Sequence, residues 1–152
     1  MSLEMIQTER REFLTQALTL VGGCVCSGLL VGCETDVLKS SNIAVRLDVA
    51  NESRLAQVGG MIKKVFEGQN GGFPVIIVRQ TEKDFLVFST VCPHQGCEVN
   101  LPTEFVPEVW CPCHGSVFNK TTGAVLQGPA TAPLPRFESA YDKSTNLLTI
   151  TF

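Results

Sequence analysis

The chain has 152 residues, one domain's worth by the usual range of about 100 to 200 residues, which excludes a large multidomain enzyme. Formal net charge is -3 with 12 Lys plus Arg, so the cationic surplus that nucleic acid demands is missing and no nucleic-acid partner is expected. Apolar residues make up 44% against 18% charged, and seven Cys accompany two His; a membrane-like segment is implied, as is a role for thiols in disulfides, metal or lipid.

The oily segment comes first. From Phe13 to Cys33 there is no charged residue over 21 positions, enough for the roughly 20 apolar residues of a membrane-crossing helix. Arg10 and Arg11, followed by Glu12, Phe13 and Leu14, resemble a twin-arginine export signal, which carries proteins that fold before they cross. Two readings of its end stay open. Leu30, Val31, Gly32 and Cys33 read as a lipobox, with Cys33 lipidated at the new N-terminus after cleavage; alternatively the helix is an uncleaved anchor holding Cys24, Cys26 and Cys33. Either one tethers a globular domain at the outer, periplasmic face of a bacterial inner membrane. Residues 1–33 are therefore the signal or anchor, an N-terminal apolar helix, and the polar stretch 34–42 is a linker.

The domain spans 43–152 and its periodicity is two. Ile43, Val45, Leu47 and Val49 alternate with Ala44, Arg46 and Asp48, as in a half-buried strand. Further strands are predicted at Met61 to Phe66, Phe73 to Val78, Phe85 to Ser89, Val117 to Phe118, Ala124 to Gln127, Phe137 to Tyr141 and Leu147 to Phe152. Turn residues separate them at Asn70 to Gly72, Lys120 to Gly123 and Lys143 to Asn146. No amphipathic helix of useful length follows the anchor, so the domain is all-β, an antiparallel sandwich or small barrel. Phe73, Phe85, Phe88 and Trp110 read as packing residues, and Lys63 and Lys64 as a solvated strand face.

Two boxes carry the chemistry. The first is Cys92, Pro93, His94, Gln95, Gly96, Cys97; the second is Cys111, Pro112, Cys113, His114, Gly115, Ser116. Both of the chain's histidines fall here, in a Cys-x-His pair and a Cys-x-x-His pair with 16 residues between His94 and Cys111. Two thiolates and two neutral imidazoles suit either zinc or a 2Fe-2S centre.

The paired boxes resemble those of Rieske iron-sulfur proteins, and the likeness continues to a Gly-Pro loop at Gly128 to Pro135. It implies a three-sheet β fold with two cluster-binding loops around a 2Fe-2S cluster. Cys92 and Cys111 would bind the inner iron and His94 and His114 the outer, while Cys97 and Cys113 would form a disulfide tying the loops together. Disulfides persist outside the cytoplasm, which agrees with the export signal. Exchanging two thiolates for imidazoles lifts the potential to about -150 to +300 mV from roughly -400 mV, within reach of quinol. A Rieske oxygenase is excluded, because its mononuclear iron needs further histidines and the chain has none left.

The resemblance also assigns Ser116 as a hydroxyl donor to a cluster sulfur, which stabilises the reduced form. Phe118 stands where high-potential members carry a Tyr that donates to a ligand sulfur, so a middling potential matched to a low-potential quinol such as menaquinol is expected; Gln95 stands where quinol-oxidising members carry Leu, which alters the apolar cover of the cluster and the quinol-docking surface. The function implied is that of the iron-sulfur subunit of a cytochrome bc-type quinol:cytochrome c oxidoreductase. His114 would contact the quinol, and b-type and c-type cytochromes would be partners. The alternatives are the small Rieske subunit of arsenite oxidase and an exported electron-carrier lipoprotein.

Overall fold

The structure is a computed structural model that describes residues 42–152. The predicted signal or anchor, including Cys33, and all of the linker but its last residue lie outside the described residues. Among the described residues no helix is long and apolar enough to cross a membrane. Nine strands follow in order: β1 (Ala44–Asp48), β2 (Met61–Lys64), β3 (Val75–Arg79), β4 (Phe85–Ser89), β5 (Val109–Trp110), β6 (Val117–Phe118), β7 (Val125–Gln127), β8 (Arg136–Asp142) and β9 (Leu147–Thr151). The helical elements among these residues are short 3-10 turns, so the fold is all-β as expected.

Every strand pairing is antiparallel. One sheet runs in the order β1-β9-β8-β4-β3-β2, and β5-β6-β7 form another. The larger sheet is joined at its middle by two residue pairs only, Val87 with Phe137 and Phe88 with Arg136, and so behaves as two three-stranded halves. With β5-β6-β7 this makes three small sheets.

The β3 and β4 sequences explain why the halves fold around them. Val75, Ile76, Ile77 and Val78, then Phe85, Leu86, Val87 and Phe88, are all buried, with no polar alternation. Successive side chains point to opposite faces, so these strands feed two cores at once. Ile76, Val78, Leu86 and Phe88 pack with Val109, Phe118, Cys92 and Cys111, while Val75, Ile77, Phe85 and Val87 pack with Leu47, Leu148 and Ile150. The first of these cores contains the free thiols Cys92 and Cys111.

Some expectations are corrected. β3 starts at Val75 rather than Phe73, since Pro74 has no N–H to give a ladder; Phe73 is 38% exposed and not the buried strand residue expected. Val65 and Phe66 leave β2, and Val65 is 58% exposed. β5, the two residues directly before the second box, was not among the predicted strands. Lys63 and Lys64 are ion-paired, with Nζ to Oε1 distances of 2.6 Å to Glu98 and Glu52 respectively.

Because Ile77 is fully buried in a central strand, Ile77→Ala lowers the unfolding free energy by about 2 to 5 kcal/mol. Val65→Ser stays within about 0.5 kcal/mol of the parent. Urea denaturation of both variants checks this; a loss below about 1 kcal/mol for Ile77→Ala contradicts the two-core assignment.

Candidate metal centre

The first box forms a hairpin tip whose stem residues Val91 and Glu98 face each other in an antiparallel bridge. The second box is the tip between β5 and β6. Both tips close through the same bonds at the same spacing. Cys92 N–H donates to Cys97 O at 2.8 Å and Gly96 N–H to Cys92 O at 2.8 Å; Cys111 N–H donates to Ser116 O at 2.8 Å and Gly115 N–H to Cys111 O at 3.1 Å. The chain must turn left-handed to do this, and Gly96 and Gly115 each have φ of 76°, a region that a Cβ disfavours. Counting from each leading cysteine, His94 occupies the place of Cys113, and Gln95 that of His114.

This common closure brings the expected donors together as two pairs. Cys92 and Cys111 are free thiols, each 1% exposed. Burial raises the Cys92 thiol above its ordinary range; the backbone N–H of His94, donating to its sulfur, opposes this, and the adjacent Cys111 thiol raises it further. The imidazoles of His94 and His114 stand edge to face, ring centroids 4.7 Å apart at 85°. Nδ1 of His94 is buried without a hydrogen-bond partner, a state that costs about 1 to 3 kcal/mol unless some group meets it. A metal ion is such a group.

The remaining boxed cysteines form the Cys97–Cys113 disulfide, which links the two tips with a Cα separation of 6.5 Å. Sγ of Cys111 lies within 4.8 Å of both disulfide sulfurs, but these are bonded to each other and so are not thiolate donors. Among the described residues no imidazole belongs to a group of three potential ligand atoms that close. The donors are thus divided into a sulfur pair and a nitrogen pair, which suits a two-metal centre better than one tetrahedral zinc ion.

Ser116 is fully buried. Its Oγ accepts the Ala130 N–H at 3.0 Å, which leaves its own hydrogen free, and that hydroxyl draws the Cys92 thiol downward against the effect of burial. Ala130 follows a cis Gly128–Pro129 bond in the loop singled out from the sequence, and Ala130 and Leu134 from that loop are buried with the thiols. Phe118 is fully buried in the same core, whereas Gln95 and His114 are exposed. Trp110 is half-buried, with a buried Nε1 that has no partner among the described residues. Three supporting contacts had no sequence signal: the Ala130 N–H, the Lys63–Glu98 ion pair on the return limb of the first tip, and Gln127 Nε2 donating to Gly115 O at 3.2 Å.

Comparison with known proteins gives the same answer by another route. The family model of the Rieske [2Fe-2S] domain matches residues 46–138. The chain is 28% identical over 145 residues to the menaquinol:cytochrome c reductase iron-sulfur subunit of Geobacillus thermodenitrificans, covering 85% of this chain and 83% of that protein. It is 40% identical over 67 residues to the cytochrome b6-f complex iron-sulfur subunit of Gloeobacter violaceus, there covering 43% of this chain and only 35% of its relative. Among solved structures, the soluble domain of Rieske protein II from Sulfolobus acidocaldarius shares the fold, with a TM-score of 0.56 at 19% identity over 74% of this chain and 78% of the other.

The raised Cys92 thiol gives the metal-free protein a pH dependence. A group whose folded pKa exceeds its unfolded one stabilises the fold below the unfolded value, and this is lost as pH rises through the folded value. The urea midpoint of metal-free protein is therefore flat up to the ordinary thiol range and falls above it, and Cys92→Ala reduces that fall. An alkaline limb identical in parent and variant contradicts the assignment.

Proposed function

Since this chain belongs to the Rieske 2Fe-2S family, we propose that Cys92, His94, Cys111 and His114 hold its cluster and that it passes single electrons from a quinol to a c-type cytochrome. It is a Rieske iron-sulfur electron-transfer protein, and its cofactor is a 2Fe-2S cluster. The observation that carries the ligand set is the division of donors: two buried free thiols on one side and an edge-to-face imidazole pair on the other. When bound, the cluster supplies a one-electron couple whose potential imidazole ligation raises above that of all-thiolate centres.

The chain's own residues do the rest. Cys92 and Cys111 present thiolates from inside an apolar core, which limits solvent around the sulfur end. The buried Nδ1 of His94 gains a partner when metal binds. His114, on an exposed position, offers its outward ring nitrogen to a quinol oxygen, so that a proton can leave along with each electron. Ser116, its oxygen held by the Ala130 N–H, keeps its hydrogen to give to the Cys92 sulfur.

The similarity to a protein named as a menaquinol:cytochrome c reductase subunit, over most of both chains, supports quinol as donor and cytochromes as partners. The neutral N-terminal segment from Phe13 to Cys33 supports a tether to the membrane where quinol resides. His114 is the group we assign to quinol contact.

The experiment is EPR on dithionite-reduced protein, followed by reduction with a naphthoquinol in membranes that contain the chain. A 2Fe-2S signal that quinol also generates, with onward reduction of a c-type cytochrome, is expected; a zinc-loaded, EPR-silent protein overturns the cluster reading, and a cluster indifferent to quinol overturns the donor. Cys111→Ser and His94→Ala abolish the signal. Ser116→Ala lowers the midpoint by about 20 to 65 mV, the equivalent of one net hydrogen bond. Phe118→Tyr, which adds a hydroxyl in the core that contains both thiols, raises it by a similar amount. Protein-film voltammetry measures both.

A further inference from the structure

A polar chain, half-buried at Asn70 and buried at Ser89 and Thr90, reaches the first tip from outside the ligand set. Asn70 lies between β2 and β3 with φ of 49°, in the left-handed region that asparagine enters more readily than most residues. Its Nδ2 donates to Phe73 O at 3.1 Å and to Pro74 O at 2.8 Å. Its Oδ1 accepts from Ser89 Oγ at 2.8 Å, and Ser89 Oγ accepts in turn from Val91 N–H at 3.1 Å. Thr90 adds two more bonds to the same loop, from its N–H at 3.2 Å and its Oγ1 at 2.6 Å, both to Pro74 O. Ser89 is 2% and Thr90 0% exposed.

Buried hydroxyls are an expensive way to fill space, since each needs a partner and an apolar side chain packs without one. Here two in a row sit at the base of the tip that bears Cys92 and His94, and both are satisfied through the 70–74 loop. What they supply over alanine and valine is direction. Packing permits small rotations of a stem, whereas hydrogen bonds of fixed length in series do not. The next residue after Val91 is Cys92, whose own N–H and carbonyl close the tip.

We infer that Asn70 is a positioning residue for the cluster: through Ser89 it fixes the Val91–Cys92 backbone, and with it the aim of Cys92 and His94. This rests on the ligand set proposed above. Asn70 touches neither cluster nor substrate, and its role is separable from general stability by comparison with Asn146. That residue, the other non-glycine with left-handed φ (57°) among the described residues, holds the β8–β9 turn, where its Oδ1 accepts from the Tyr141 hydroxyl at 2.9 Å.

The test uses the full cluster-loaded chain with Asn70→Gly, Ser89→Ala, the double variant and Asn146→Gly. Glycine keeps the left-handed backbone and removes only the carboxamide. Three readings are taken below the melting range: hydrogen exchange of the 89–97 peptide by mass spectrometry, the rate of cluster loss, and the g values and linewidths of the reduced protein. Asn70→Gly and Ser89→Ala each speed exchange and cluster loss by about two- to thirteen-fold, the range for one net hydrogen bond, and shift or broaden the EPR lines. The double variant is no worse than the stronger single, as expected for groups in one chain, and Asn146→Gly matches the parent.

Unchanged EPR and exchange in both singles, additive effects in the double variant, or equal changes in Asn146→Gly overturn the inference. If Asn70→Gly does not fold, Ser89→Ala alone decides it by the same readings. Should the parent itself lack a 2Fe-2S signal, the ligand set is at fault, and exchange of the 89–97 peptide in metal-free protein still tests the link from Asn70.

Discussion

Two hairpin tips must be held side by side, because neither supplies enough donors to grip a cluster alone. Each brings one thiol and one imidazole, and the disulfide between Cys97 and Cys113 joins them covalently. The common closure matters as much as the bridge. With the same two backbone bonds and the same left-handed glycine in each tip, the leading cysteines sit at equivalent places and both drop into the core. A tip with a different closure would aim its thiol elsewhere, and the bridge could not correct that.

The sheets explain why the tips have a firm base. β3 and β4 are apolar on both faces, so one pair of strands organises the core beneath the thiols and the core shared with β1 and β9. Motion of the first tip relative to the domain would therefore disturb β4, its direct upstream neighbour, in two cores at once. The second tip has a weaker sheet of its own, with β5 and β6 only two residues long, and takes its support from the bridge, from Ala130 on Ser116 and from Gln127 on Gly115. Firmness at this site is thus passed from one tip to the other, which gives the disulfide a mechanical role beyond limiting the unfolded chain.

What the sequence disclosed follows from the range of each interaction. Candidate side chains were easy to pick out because Cys and His are few, and the boxed ones gather in the two tips as two free thiols, an imidazole pair and a disulfide. Strands with several residues in period, such as β1 and β9, were legible too, as was the apolar run ending at Val78, whose burial on both faces came only with the structure. Phe73 misled because hydrophobicity says nothing of a neighbouring proline that ends the ladder. β5 was invisible because its two residues gain strand geometry only by pairing with β6 and Asn100. Backbone donors such as Ala130 N–H cannot be seen in any side-chain pattern, and Asn70 looked like a turn residue since its partners are remote or are carbonyls.

Burial is unequal along the donor set, and that inequality has a consequence for traffic. The thiols are 1% exposed, His94 is half-buried and His114 is exposed, so a cluster held by these four would meet the outside at its nitrogen end. Electron transfer falls steeply with distance, and proton exchange needs direct contact, so both favour the same face. The exposed Gln95, at the place in the first tip that His114 takes in the second, borders that face with a polar amide where an apolar side chain would exclude water more completely. For the quinol donor proposed above, a wetter rim would lower the penalty for binding the polar head, at some loss of grip on the ring.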